Sequence, residues 1–279
     1  MDPVGRERVR VYGEEGDSER EDAVAVEEPL RIAVRSASVA APVSFATTMR
    51  TPGDDAELAA GLLFTEGVLE RPDDLLSFAL SEAAPSGKKD NSLVATLADR
   101  AFERARHLRR EIVIGSACGI CGSDSIDEAV ARAPRRVSGG VRIARDVLFS
   151  MPDRLRARQS IFAQTGGLHG AALFDAAGSI LEIREDIGRH NATDKVIGAA
   201  FRRGVPRFSE TALLVSGRAG FEIVQKANAA GIPVVASVSA PSSLAVALAD
   251  AAGMTLVGFL RDRRFNVYAH PGRIAPLSS

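Results

Sequence analysis

Between residues 171 and 260 short apolar runs alternate with helical stretches at a spacing that few folds can satisfy. Residues 171–174 and 180–184 read as a hairpin around 175–178, followed by helix 191–203, strand 211–216, helix 221–230, strand 232–238, helix 242–252 and strand 255–260. Strand, helix, strand in this order implies right-handed crossovers and a parallel sheet with helices packed on it. A turn at 262–264 and a strand at 265–269 extend the pattern. The expected class is α/β with a mainly parallel sheet. The uncharged run 227–249 has the ~20-residue length of a membrane span. Pro233, Pro241 and the serines at 237, 239, 242 and 243 break it into a strand and a helix start, so no membrane partner is expected.

The front of the chain has a different rhythm. Residues 30–35 alternate apolar and polar as a half-buried strand does, and 43–49 read as its neighbour. Thr51-Pro52-Gly53-Asp54-Asp55 is a turn into a helix carrying Leu58, Leu62, Leu63 and Phe64 at helical spacing; a loop at 81–91 and a strand at 92–98 follow. Residues 23–110 thus form a small α+β unit. Ahead of it, residues 1–22 carry Arg6, Glu7, Arg8, Arg10, Glu14, Glu15 and Asp17 and no apolar stretch. They read as a disordered tail and as no secretory signal, which places the protein in the cytoplasm. Residues 111–140 hold a strand near 111–114, a loop and a helix at 124–133; a helix at 144–162, closed by Gly166-Gly167, opens the back domain, 141–279. The 279 residues suit two such units. The formal net charge, 35 − 36 = −1, provides no global field for nucleic acid or a membrane surface. Four of the cations are Lys and the other 31 Arg, the side chain whose planar fork suits phosphate.

In an open α/β sheet the loops at the carboxyl ends of parallel strands share one edge, where ligands bind. That edge collects Ser216-Gly217-Arg218-Ala219-Gly220, then the hydroxyl-rich 237–243, then Arg261-Asp262-Arg263-Arg264. Two of the three loops lead into helix N-termini, whose free N–H groups attract anions. Together they suggest a phosphate-bearing ligand. Neither G-x-x-x-x-G-K-[ST] nor G-x-G-x-x-G occurs, which argues against a standard ATPase or dinucleotide oxidoreductase. The densest polar cluster, Arg184-Glu185-Asp186-Ile187-Gly188-Arg189-His190-Asn191-Ala192-Thr193-Asp194-Lys195, opens a helix. Asp186 or Asn191 could merely cap it, but Arg189 and His190 oppose the helix dipole unless an anion or carboxylate balances them.

Both cysteines of the chain, Cys118 and Cys121, sit in one tetrapeptide among Gly115, Gly119 and Gly122. A clustered pair suggests chemistry where a disulfide framework would be spread out. Four readings stay open: a zinc site, for which His169 and His190 lie at unsuitable spacing; a dithiol reductase, whose usual element order is missing; inert buried thiols; and a persulfide carrier working by thiol exchange.

Cys118-Gly119-Ile120-Cys121-Gly122, Thr165-Gly166-Gly167-Leu168-His169, the twelve residues 184–195, Ser216-Gly217-Arg218 and Gly258-Phe259-Leu260-Arg261 resemble, in order and spacing, the FdhD/NarQ family of formate dehydrogenase accessory sulfurtransferases. The resemblance implies a larger domain of the cytidine-deaminase-like α/β/α type. This chain has His169-Gly170-Ala171 where a deaminase needs H-x-E, and no P-C-x-x-C, so deamination is excluded. It further implies a cytoplasmic sulfurtransferase that takes sulfur from a cysteine desulfurase as a persulfide and passes it to the molybdenum cofactor, Mo-bis(molybdopterin guanine dinucleotide), for formate dehydrogenase. GDP-like nucleotides would be partial mimics, and no resident metal ion is expected. Cys118 then matches the persulfide carrier with Cys121 as its partner. Phe259, Leu260, Arg261, Asp262, Arg263 and Arg264 match a cofactor-binding segment, to which the edge adds Ser216, Gly217, Arg218, Arg189 and His190. A homodimer is expected. The competing reading is a noncatalytic chaperone that binds and delivers the cofactor, its C-x-x-C serving as a redox lock.

Overall fold

A computed structural model describes residues 2–39, 41–80, 91–111, 137, 139–204 and 208–277. Cys118 and Cys121, the strand at 112–114, the helix at 124–133 and the loop at 81–90 lie outside the described residues.

The chain opens with β1 (Val4–Gly13) and β2 (Gly16–Ala25), an antiparallel hairpin where a disordered tail over 1–22 was expected. The charges concealed a period of two. Val9 and Val11 alternate with Arg8 and Arg10, and the register sets Arg8 opposite Glu21 and Arg10 opposite Glu19, cross-strand pairs of opposite sign that suit a ribbon. The α+β unit follows as β3 (Glu28–Ser36), β4 (Val43–Arg50), α1 (Asp55–Thr65), β5 (Leu75–Leu80), β6 (Ser92–Leu97) and α2 (Asp99–Glu111). Its sheet runs β4-β3-β6-β5, with β3 and β6 parallel and both edge strands antiparallel. Glu111, expected to begin a strand, instead ends α2.

Then come β7 (Ile143–Ala144), α3 (Arg145–Arg156), α4 (Ser160–Thr165), β8 (His169–Phe174), β9 (Ile180–Asp186), α5 (Arg189–Arg202), β10 (Ala212–Val215), α6 (Phe221–Ala230), β11 (Val234–Ser237), α7 (Ser243–Ala252), β12 (Thr255–Arg261), β13 (Arg264–Ala269) and β14 (Ile274–Ala275). The single helix expected over 144–162 is two. Glu185 accepts hydrogen bonds from the N–H groups of Ile161 (3.0 Å) and Phe162 (2.8 Å), starting a new helix there. Gly166, with φ of 68°, ends it as expected.

The main sheet runs β13-β12-β11-β10-β8-β9. The α/β class stands, but the sheet is mixed: only β10, β11 and β12 are parallel neighbours, while β8 is antiparallel to both β9 and β10, and β13 to β12. Connections as short as those of β8–β9 and β12–β13 allow only antiparallel neighbours. One face of the sheet packs against α5, α6 and α7 through Val196, Ile197, Ile223, Val224, Leu248 and their neighbours. The other buries Leu148, Met151 and Leu155 of α3. The front unit joins through α1, which crosses α5 so closely that a Cβ on Gly61 or Gly198 would collide with the backbone of Asp194 or Glu57. Among the described residues no helix is long and apolar enough to cross a membrane.

Candidate functional site

Strand direction decides which residues meet. Because β8 is antiparallel to β9 and β10, the start of β8 lies beside the carboxyl ends of both. His169 therefore pairs with Asp186, the N–H of Gly170 donates to Ser216 Oγ (2.9 Å), and that of Ser216 to the Gly170 carbonyl (2.9 Å). The loops after β10, β11 and β12 are stitched in sequence. Val238 N–H reaches the Val215 carbonyl (3.2 Å), Ser242 N–H that of Ala219 (3.1 Å), and Phe259 N–H that of Ser239 (3.1 Å). Ser242 also caps α7 by accepting from Ala245 N–H (3.2 Å). The scattered loops do form one edge.

The twelve-residue cluster divides in two. Its larger part is turned toward the front unit and buried. Lys195 Nζ lies 2.8 Å from Asp186 Oδ2 and donates to the Thr51 carbonyl (2.9 Å), while Asp186 accepts from Thr51 N–H (3.2 Å), Gly188 N–H (2.9 Å) and Asn191 Nδ2 (3.1 Å). Asn191 also donates to the Met49 carbonyl (2.7 Å). Arg184 grips Glu57 of α1 through two nitrogens (2.5 and 2.8 Å). One turn further on, Asp194 accepts from Thr65 Oγ1 (3.0 Å) and pairs with Lys226 (2.8 Å). Burial would lower the Lys226 ammonium, but Asp194 and Glu66 together raise it above its ordinary value.

Arg189 and His190 are the part that faces the edge. The His169 ring and Arg189 both crowd Gly217: a Cβ there would lie 3.2 Å from His169 Nδ1 and 3.9 Å from Arg189 Cδ. The Arg189 Nε–H is buried without a hydrogen-bond partner. His190 Nε2 is 2.7 Å from Glu222 Oε2 in the first turn of α6, so a carboxylate does stand beside this helix start. Burial, with Arg189 and His190 beside it, holds the His169 imidazole below its ordinary range despite Asp186. Among the described residues no three His, Cys, Asp or Glu side chains come together as metal ligands.

The segment 259–264 is less uniform than expected. Phe259 (φ 53°), Asp262 (52°) and Arg263 (54°) are left-handed around an irregularity in the β12–β13 register. Leu260 is fully buried in the sheet core beneath α3, so it supports the segment rather than meeting a ligand; alternation along a strand sends it to the other face. Arg261, Asp262 and Arg264 are exposed, as is Arg218, and Arg263 lies over the Phe149 ring at 5.2 Å.

A cavity of about 480 Å³ opens at this edge, between the α3–α4 turn, the loop 166–168, His169, Ser216 and Val238. Arg156 and Gln159, both on its wall, were missed in the sequence, because an isolated Arg at a helix end or Gln between helices carries no pattern. His169 was weighed only as a metal ligand.

A model of the FdhD/NarQ family matches residues 25–275. Among curated relatives, the "Sulfur carrier protein FdhD" of Mycobacterium tuberculosis is 47% identical over 274 residues, covering 96% of this chain and 97% of its own. That of Streptomyces avermitilis is 47% identical over 262 residues (92% and 91%), and that of Picrophilus torridus 41% over 253 (91% and 92%). Among solved structures, one described as a formate dehydrogenase accessory protein from Desulfotalea psychrophila superposes with a TM-score of 0.74 at 25% identity, covering 98% of this chain and all of that one.

Proposed function

The chain belongs to the FdhD/NarQ family, and from that premise we propose that it is a sulfur carrier serving formate dehydrogenase, with Cys118 as the atom-bearing residue. In this reading the Cys118 thiolate attacks the outer sulfur of a persulfide on a cysteine desulfurase. A Cys118 persulfide forms and the desulfurase thiolate leaves, with no net oxidation. Attack by the Cys121 thiol on the inner sulfur of that persulfide releases sulfide to the molybdenum centre of the cofactor, the substrate, and leaves a Cys118–Cys121 disulfide. The two electrons that turn sulfane sulfur into sulfide come from the cysteine pair, and a dithiol reductant resets it.

What supports a cofactor-loading role is the convergence of Arg189, His169 and Gly217 at the sheet's carboxyl edge, with Arg218 exposed on the loop beside them. A glycine lets a ligand approach the backbone, and the guanidinium groups suit the pyrophosphates of Mo-bis(molybdopterin guanine dinucleotide). Mass spectrometry after incubation with a cysteine desulfurase and cysteine should show one added sulfur on wild type and on Cys121→Ala, and none on Cys118→Ala. A strain carrying Cys118→Ala should lack formate dehydrogenase activity while its purified protein still binds GDP. Normal activity in that strain would leave delivery of the cofactor, without sulfur chemistry, as the function.

A further inference from the structure

The ribbon of β1 and β2 reaches out from the folded units. Each strand has ten residues, about 30 Å of extended chain, and every residue from 12 to 21 is exposed. Its root is anchored: β2 packs against α4, and a Cβ on Gly167 would lie 3.5 Å from that of Ala25. Phe162 of α4, Gly166 and Gly167 also line the cavity at the sheet's carboxyl edge, so the ribbon rises from the mouth of the candidate site.

A two-stranded hairpin on its own is marginal in water, and this one carries charges that do not serve its own pairing. Residues 4–25 hold seven acidic side chains and four arginines, a net charge of −3. The register sets Glu7 directly opposite Asp22, a like-charged pair that weakens the ribbon, with Arg20 3.8 Å from Asp22. The same face carries Val9, Val11 and Val24, all half-buried. Glu14, Glu15 and Asp17 gather at the turn near Tyr12, which is 73% exposed. An aliphatic stripe with an acidic rim and a large aromatic in solvent suits a protein partner with a basic surface. The acidic surplus repels nucleic acid and anionic membranes. A second copy fits poorly, since two-fold pairing through β1 sets Arg6, Arg8 and Arg10 against their own kind and pairing through β2 does the same for Glu19 and Glu21. Pairing β1 of one copy with β2 of the next does not close.

We propose that this ribbon is a docking arm for the protein that receives the cofactor, cofactor-free formate dehydrogenase, and that it seats against a basic surface of that enzyme. The proposal rests on the carrier reading above. The position of the root decides for the receiving enzyme: an acceptor held by the arm stays at the mouth from which the ligand leaves, and tethering raises its local concentration there.

The test measures binding of purified cofactor-free formate dehydrogenase, and separately of cysteine desulfurase, to the full chain by interferometry, with GDP calorimetry, thermal melts, light scattering and the sulfur-loading assay alongside. Glu7→Gln/Asp22→Asn removes the like-charged pair and should leave the melting temperature equal or higher while weakening the dehydrogenase complex about tenfold. Tyr12→Ala should weaken it by a similar factor. The wild-type complex should loosen as salt rises from about 0.05 to about 0.3 M, and that of the double variant much less. Desulfurase binding, sulfur on Cys118 and GDP affinity should match wild type throughout. If the double variant does not fold, Glu14→Gln/Glu15→Gln, in the turn and outside the strand pairing, takes its place. Folded variants that bind the dehydrogenase as wild type does would overturn the arm and leave the carrier reading standing. A loss confined to desulfurase binding, or a change in molecular mass by light scattering, would overturn it too, by giving the ribbon to the sulfur donor or to a second copy. A wild type that takes up no sulfur and binds no dehydrogenase would remove both the arm and the carrier reading.

Discussion

His169 sits where the chemistry of the edge is most sensitive to pH. Its imidazole is held below the ordinary value of about 6.5, chiefly by burial and then by Arg189 and His190. In the window below about 6.5 the unfolded chain takes up a proton that the folded chain refuses, so this group's contribution is whole above that value and is lost as pH falls through the depressed one. His169→Gln should therefore lose part of the fall in melting temperature seen between about pH 7 and about pH 5. An identical pH slope in both proteins would show that His169 is not the group responsible. Phosphates beside the ring would favour its charged form, and GDP binding by wild type should tighten toward the acid end of that range while binding by the variant does not. Arg189 was legible from the sequence for a sound reason: a cation at a helix start needs a counter-charge. The partner found for its neighbour, Glu222 with His190, lies 32 positions away on another helix, and no local pattern announces it.

The element that carries most of the architecture is α5. Its N-terminal turn lies at the carboxyl edge of the sheet, its flank meets α1, and the rest is buried against the sheet. Gly198→Ala should destabilise the protein by about 3 kcal/mol or more, since the added Cβ meets the Glu57 carbonyl and the α1 backbone, neither of which can yield as a side chain would. Chemical denaturation measures this, and a loss below about 1 kcal/mol would mean that the helices can separate freely. Lys226→Met should cost about 3–5 kcal/mol by stranding the buried Asp194 carboxylate, and adding Asp194→Leu should restore much of it. Helix α5 itself was readable from its apolar spacing. The two glycines that let it touch α1 were not, because a glycine inside a helix reads only as a weak former until the facing backbone is known. The break between α3 and α4 was hidden likewise, its cause being Glu185, a capping carboxylate supplied by a distant strand.

For the whole molecule, the order of strands and helices over 169–269 was written in the sequence, but the direction of β8 was not, and that direction is what brings His169 and Gly170 to the carboxyl edge of β9 and β10. The charged hairpin at the front was invisible for a different reason: its two strands bury little, so hydrophobicity reports nothing of their pairing. The front unit and the sheet domain share the Arg184–Glu57 ion pair and buried hydrogen bonds from Thr51 and Thr65 to Asp186, Lys195 and Asp194, so unfolding followed by circular dichroism and by a probe in either unit should give one coincident transition. Two separated transitions would contradict that.

Thr51 supplies both its N–H and its carbonyl to the Asp186–Lys195 pair, so a backbone turn of one unit completes a charge pair of the other. The consequence concerns ancestry and engineering. Neither half can drift alone: a graft of the front unit from one relative onto the sheet domain of another inherits a seam whose two sides were never fitted together. Such chimeras should fold only when the turn at residue 51 and the glycines at 61 and 198 travel as a set with their opposite faces, and the soluble yield of a panel of exchanges at different junctions would map that seam.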